Sequence, residues 1–202
     1  KVLDNGEIGS IVSIHAHRRG REPPASDWFW DIDKSGGIAV DLAIHDIDMI
    51  QWFLGSTDSI QTVYAIGSNN VYPEINTWDT VVITLQSQSG VLITIEASWA
   101  EPDLRDQVGN NTWMVVYGEE GTIRIDPSKQ PAVKNTELNG LEPTFEVIDQ
   151  LPFFVDQVGT FAKTVLNNTE IPISITDGIS SLKVARAALE SLKTGKVVKL
   201  FQ

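Results

Sequence analysis

Asp41 and His45 stand four residues apart in a stretch whose apolar positions repeat with helical spacing, so both side chains project from one helix face. A carboxylate beside an imidazole can hold the ring's tautomer and support its protonated form, and His titrates nearest to neutrality. The pair is therefore competent as a general acid–base unit, although the same spacing also serves a surface ion pair. At about 100° per residue Asp48 and Trp52 join them on one stripe, while Ala43, Ile47, Ile50 and Leu54 gather on the opposite side. Gly36 and Gly37 precede the stretch and would let another backbone or a ligand come close. His15 and His17 share one face of a predicted strand and could join Asp41 and His45 as metal ligands, but no close-spaced pattern such as H-E-x-x-H is present.

The elements that must position these residues follow from pattern. A strand is expected over Ile8–His17 and a basic, proline-marked loop over Arg18–Pro24, followed by three large aromatics crowded between Asp27 and Asp31. One helix is expected from Gly36 to Leu54, stopped by Gly55. The period then becomes twofold. Ile60, Thr62, Tyr64 and Ile66 share one strand face, Val81, Ile83 and Leu85 another, and Val91, Ile93, Ile95, Ala97 and Trp99 a third. Ser87–Gly90 and Gly118–Gly121 read as hairpin turns, and Pro127–Pro143 as an irregular surface excursion. Phe154, Val158, Phe161 and Val165 predict a buried helical stripe. Leu182, Ala185, Leu189 and Leu192 predict a second, in a helix capped near Thr176 or Asp177 and stopped by Gly195 before a closing strand over Lys196–Phe201. The fold class expected is α+β: one domain over 1–202, a largely antiparallel open sheet with helices packed on one face.

Composition narrows the function. The 202 residues carry 15 Lys and Arg against 27 Asp and Glu, a net charge of −12. That excess repels phosphate backbones and anionic lipid, so neither nucleic acid nor a membrane is an expected partner. With no Cys, disulfides, thiolate catalysis and Cys-ligated metals are excluded. No apolar run reaches a membrane span and no signal-peptide pattern opens the chain, which makes the cytoplasm the default location. On the hairpin strands the face turned from the apolar set carries Thr80, Val82, Thr84 and Gln86, then Leu92, Thr94, Glu96 and Ser98. A surface so poor in charge suits either solvent or a sheet-to-sheet contact between copies.

Gly36 through Asp48, followed by Trp52-Phe53-Leu54-Gly55, resembles the G-G-x-x-x-D-x-x-x-H-D-x-D…W-x-x-G signature of the Gfo/Idh/MocA oxidoreductases, the glucose–fructose oxidoreductase and inositol dehydrogenase family. Gly6-Glu7-Ile8-Gly9, Trp28 through Gly37, Tyr117 through Thr122, and Asp177 through Leu200 are similar to further segments of that family in order and spacing. The resemblance covers nearly the whole chain. It implies a C-terminal substrate and oligomerisation domain, joined in the complete enzyme to an N-terminal Rossmann domain that binds NAD or NADP. It also implies that Asp41 and His45 lie beside the nicotinamide, with His45 as acid/base on a substrate hydroxyl, and that the open sheet face makes a homo-oligomer.

Trp28 and Trp30 then become candidates for stacking on a sugar, and Asp48 for substrate binding; packing against the helix start is the alternative for both tryptophans. Arg18, Arg19 and Arg21 could reach an anionic group or remain in a solvated loop. No G-x-G-x-x-G after a strand and no E-K-P occur in the chain. The expectation is therefore an excised C-terminal domain of an NAD(P)-dependent dehydrogenase of a sugar, polyol or inositol-like alcohol. By itself it should be inactive and hold no cofactor and no metal. Two other readings stay open: a non-catalytic carbohydrate-binding or regulatory protein of the same fold, and a metal-dependent hydrolase on His15, His17 and His45.

Overall fold

The computed structural model describes residues 3–20, 28–101, 111–126, 132–136, 144–146 and 153–200. Nine strands form one sheet in the order β8-β7-β6-β5-β1-β4-β3-β2-β9. They are β1 Ile11–Arg19, β2 Ile60–Ser68, β3 Thr80–Ser87, β4 Leu92–Ser98, β5 Thr112–Gly118, β6 Gly121–Ile125, β7 Ala132–Thr136, β8 Thr144–Glu146 and β9 Val198–Lys199. β1 and β4 run parallel and every other neighbouring pair is antiparallel. The helices are α1 Ile32–Ser35, α2 Gly37–Asp41, α3 Ala43–Leu54, α4 Phe153–Asn167 and α5 Ile175–Thr194. Three of them cover one sheet face: α2 packs on β3 and β4, α3 on β1 and β4, and α5 on β2. The α+β class and the hairpins at Ser87–Gly90 and Gly118–Gly121 agree with the sequence pattern.

The core is the apolar face of the sheet set against the apolar stripes of α2, α3 and α5. Ile14, Val81, Ile83, Ile93, Ile95 and Val116 meet Ile38, Ala43, Ile47, Ile50, Ala185 and Ala188, all of them buried. The α3 wheel is as expected: Ala43, Ile47 and Ile50 are inside, and His45, Asp48 and Trp52 face outward.

Several expectations are corrected. The single helix from Gly36 is three short ones: Gly36 ends α1 at φ 79°, and Leu42, at φ −108° and ψ −52°, separates α2 from α3. Apolar spacing continues through both breaks, so periodicity does not register them. Arg18 and Arg19 belong to β1 and not to a loop. Pro127–Pro143 holds β7, and β8 follows it. On β2 the inward residues are Val63 and Ala65, with Tyr64 and Ile66 exposed. A register shift between Ile60 and Thr62 turns Ile60 back into the core, since an extra residue in one strand reverses the alternation.

The stripe of Phe154, Val158, Phe161 and Val165 on α4 is exposed. Helical spacing shows that a stripe exists and leaves open what covers it. α5 is capped at Ser174, whose side chain accepts from the Asp177 N–H while Asp177 reaches back to the Ser174 N–H, a capping box. Its buried face consists of Ser181, Val184, Ala185, Ala187, Ala188 and Ser191, while Leu182 is exposed. Small residues there let α5 approach the sheet. The closing strand shortens to Val198–Lys199; Phe201, Arg21 and Asp27 lie outside the described residues. Among the described residues, no helix is long and apolar enough to cross a membrane.

Ile47 is 0% exposed and Val158 67%. Ile47→Ala is expected to lower stability by about 2–5 kcal/mol and Val158→Ala by under about 0.5 kcal/mol, as read by urea unfolding of this chain.

Candidate active site

The helical stretch that carries Asp41 and His45 is located by its two ends. At its start, Gly37 has φ 64°, and a Cβ on it would collide with Thr77 Oγ1, so only glycine fits. The close approach expected at Gly36 and Gly37 is thus made by the protein's own loop. Further along, Arg18 Nε donates to Asp46 Oδ2 at 2.7 Å and Arg18 Nη2 to Asp46 Oδ1 at 2.9 Å. Asp46 is 2% exposed, and the two-pronged bond joins α3 to β1 beneath the helix. Asp46 is thus an anchor of α3. With Asp46 turned inward, His45 beside it is exposed.

Asp41 is the unusual group. It is half-buried, and that burial raises its carboxyl above the ordinary value, opposed by a hydrogen bond from the Trp99 side chain and by the charge of His45. The sequence pattern placed Trp99 only on the core face of its strand. Its influence on Asp41 is one that spacing could not show, because the two residues are 58 positions apart. The charge of His45 acts on Asp41, four residues earlier in the chain.

The remaining candidates have separate settings. Asp48 Oδ1 accepts Ser181 Oγ at 2.7 Å, and Gln51 Nε2 donates to Ser181 Oγ at 3.0 Å. Those bonds fasten the stripe to α5. Trp28 is exposed and meets Phe29 edge-on, whereas Trp30 packs against the core. Arg19 pairs with Glu96 at 2.7 Å and Glu101 at 2.8 Å, so neither it nor Arg18 lies in a solvated loop.

His15 and His17 do not share a site with His45. Ile14 and Ala16 face the helices, so the alternating His15 and His17 point to the opposite face. There His15 Nδ1 bonds Thr94 Oγ1, and His17 stacks on Trp113 with ring centroids 5.1 Å apart. The sheet itself separates these rings from His45, which removes the metal-hydrolase reading. That open face also exposes Tyr64, Ile66, Val82, Leu92 and Tyr117.

The model of the GFO/IDH/MocA C-terminal domain matches residues 1–124. The chain belongs to the Gfo/Idh/MocA family. It is 30% identical over 207 aligned residues to the myo-inositol 2-dehydrogenase of Thermotoga maritima, covering 99% of this chain and 59% of that protein. It is 28% identical to the scyllo-inositol 2-dehydrogenase (NAD(+)) of Bacillus subtilis, covering 98% of this chain and 57% of that one. The crystal structure of myo-inositol 2-dehydrogenase from Lactobacillus plantarum superposes with a TM-score of 0.76 at 27% identity, over 99% of this chain and 60% of the other. The chain thus spans about three-fifths of the length of these Gfo/Idh/MocA relatives.

A nicotinamide dinucleotide needs a phosphate cradle of open backbone amides. The one Gly-Gly pair is filled by Val40 and Thr77 side chains, so it does not fit the cofactor's phosphates.

The raised carboxyl of Asp41 has a consequence for stability. Its native form holds a proton to higher pH than the unfolded chain does, so stability is lost as pH rises from the ordinary carboxylate range through the raised native value. Relative to Asp41→Asn, the wild-type chain should therefore gain stability on acidification and lose it toward neutrality, as read by urea unfolding at a series of pH values. A pH-independent difference contradicts this.

Proposed function

We propose that this chain is the substrate-binding and catalytic C-terminal domain of an NAD(P)-dependent dehydrogenase of a sugar, polyol or inositol-like alcohol. The observation that carries the reading is exposed His45 acting by its charge on half-buried Asp41, four residues earlier in the α2–α3 segment. His45 takes the proton of a substrate hydroxyl on a ring nitrogen, and Asp41 orients the ring and supports the imidazolium that forms. When bound, the nicotinamide supplies the hydride acceptor. A dinucleotide-binding domain N-terminal to this one holds it. The relatives' additional length supports that arrangement, as does the exposed apolar stripe of α4, a surface of the kind a neighbouring domain covers.

In this reading exposed Trp28 stacks on the apolar face of the substrate, with Trp30 packed in the turn beside it and Asp48 accepting from a hydroxyl through its second carboxylate oxygen. A neutral, polyhydroxylated substrate suits aromatic rings and acceptors better than an anion would, because Arg18 and Arg19 are already engaged. The names of the relatives at 27–30% identity support inositol-like alcohols.

The open sheet face pairs with a second copy. Its exposed Tyr64, Ile66, Val82, Leu92 and Tyr117 form an apolar surface that a sheet in solvent would not retain. Leu92→Glu should shift the sedimentation of the chain toward monomer, and a wild-type chain that is monomeric at high concentration contradicts the pairing.

In the complete protein, His45→Ala should lower turnover of a polyol such as myo-inositol with NAD or NADP by about 10²–10⁴-fold. The 202-residue chain by itself should show no turnover. Unchanged turnover in a folded His45→Ala protein rejects the assignment.

A further inference from the structure

The geometry points to a binding site for one alkali-metal cation, Na+ or K+, inside the loop that joins β2 to β3, with Asp79 Oδ1 and Asn69 Oδ1 as its protein ligands. The loop is closed at its neck, where the Asp79 N–H donates to Ser68 O at 3.1 Å, just beyond the last β2–β3 pair of Ser68 with Thr80. Two side chains then cross it in opposite directions. Asn69, on the outgoing arm, donates through Nδ2 to Ile75 O at 3.3 Å. Asp79, on the returning arm, accepts through Oδ2 from the N–H groups of Val71 at 2.7 Å and Tyr72 at 3.1 Å. The Ile75 N–H donates to Tyr72 O at 3.2 Å and so joins the two sets of bonds. Both polar side chains are held within one small loop.

Each of the two leaves an oxygen over. Asp79 is 1% exposed, and Asp79 Oδ1 and Asn69 Oδ1 are both buried atoms with no hydrogen-bond partner. They cannot serve each other, because a carboxylate oxygen and an amide oxygen both accept. Turning the Asn69 amide over would set its oxygen against the Ile75 carbonyl. The charge of Asp79 is also unbalanced: among the described residues, no Lys, Arg or His forms an ion pair with it. A carboxylate taken out of water needs partners for its lone pairs and for its charge. Water would supply the first and not the second, whereas a hard cation supplies both and takes carboxylate, amide and water oxygens as ligands. One carboxylate balances one positive charge. Among the described residues, no group of three or more His, Cys, Asp or Glu is placed to hold a metal ion, so the charge available suits a monovalent ion. The same loop donates from Asn76 N–H to Trp30 O at 3.0 Å, sets Thr77 beside Gly37, and accepts the Trp99 N–H on Asp79 O at 2.8 Å. A cation joining its two arms therefore steadies the start of α2.

The test is urea unfolding of this chain, wild type and Asp79→Asn, in NaCl, KCl and choline chloride at matched ionic strength. A ligand held only by the folded chain stabilises it, so the wild-type midpoint should rise saturably with NaCl or KCl and not with choline chloride. The rise should be lost in Asp79→Asn, which keeps the side chain's shape and removes its charge. Midpoints that coincide in the three salts overturn the site, as does an alkali-salt gain that Asp79→Asn retains. Should Asp79→Asn fail to fold, crystals of the wild-type chain grown in rubidium chloride decide instead. An anomalous peak within bonding reach of Asp79 Oδ1 is expected there; its absence, or a water in that place, overturns the site.

Discussion

The geometry of the site depends on the ion pair between Arg18 and Asp46. A carboxylate with 2% exposure has lost most of its hydration, which costs several kcal/mol unless donors replace the water. The forked guanidinium of Arg18 supplies two, at 2.7 and 2.9 Å. Arg18 is held in turn by the register of β1 between β4 and β5, where it lies opposite Ala97 and Thr112. Rotating α3 would break that pair and strip a charge buried in the interior, so one rotation about its axis is fixed. Asp46 and Ile47 go inward, and their neighbours His45 and Asp48 are thereby turned outward. The position of the imidazole is a consequence of where its neighbour is tied.

A second constraint acts at the other end of the segment. Thr77 fills the space beside Gly37, and Asn76 in the same loop bridges to Asp31 and donates to Trp30 O at 3.0 Å. The loop before β3 therefore holds both the aromatic turn and the start of α2. Asp41 follows α2's short run, beside the end of β4 that carries Trp99. The two faces of the sheet differ: one packs the helices that carry Asp41 and His45, and the other offers an apolar surface, with His15 and His17 engaged within it.

Much of this was legible in the residues. Alternation on β3 and β4, the two hairpin turns and the outward stripe of His45, Asp48 and Trp52 all follow from local pattern, because side-chain direction repeats with backbone geometry. Pairings across the chain were not legible. Arg18 with Asp46 and Ser181 with Asp48 join residues far apart in sequence, and the local pattern around Arg18 suited a basic loop equally well. β2 misled through a register shift that no composition marks. The α4 stripe misled because amphipathicity reports a face that needs covering, without naming what covers it.

The central claim is that His45 moves the substrate's hydroxyl proton, as distinct from merely binding or shaping the site. Chemical rescue tests it most directly. In the complete protein carrying His45→Ala, added imidazole should restore turnover of myo-inositol in proportion to the concentration of its neutral form, because a free base can occupy the cavity left by the ring. A folded, substrate-binding variant whose residual rate is indifferent to imidazole would contradict the account and leave His45 with a binding role only.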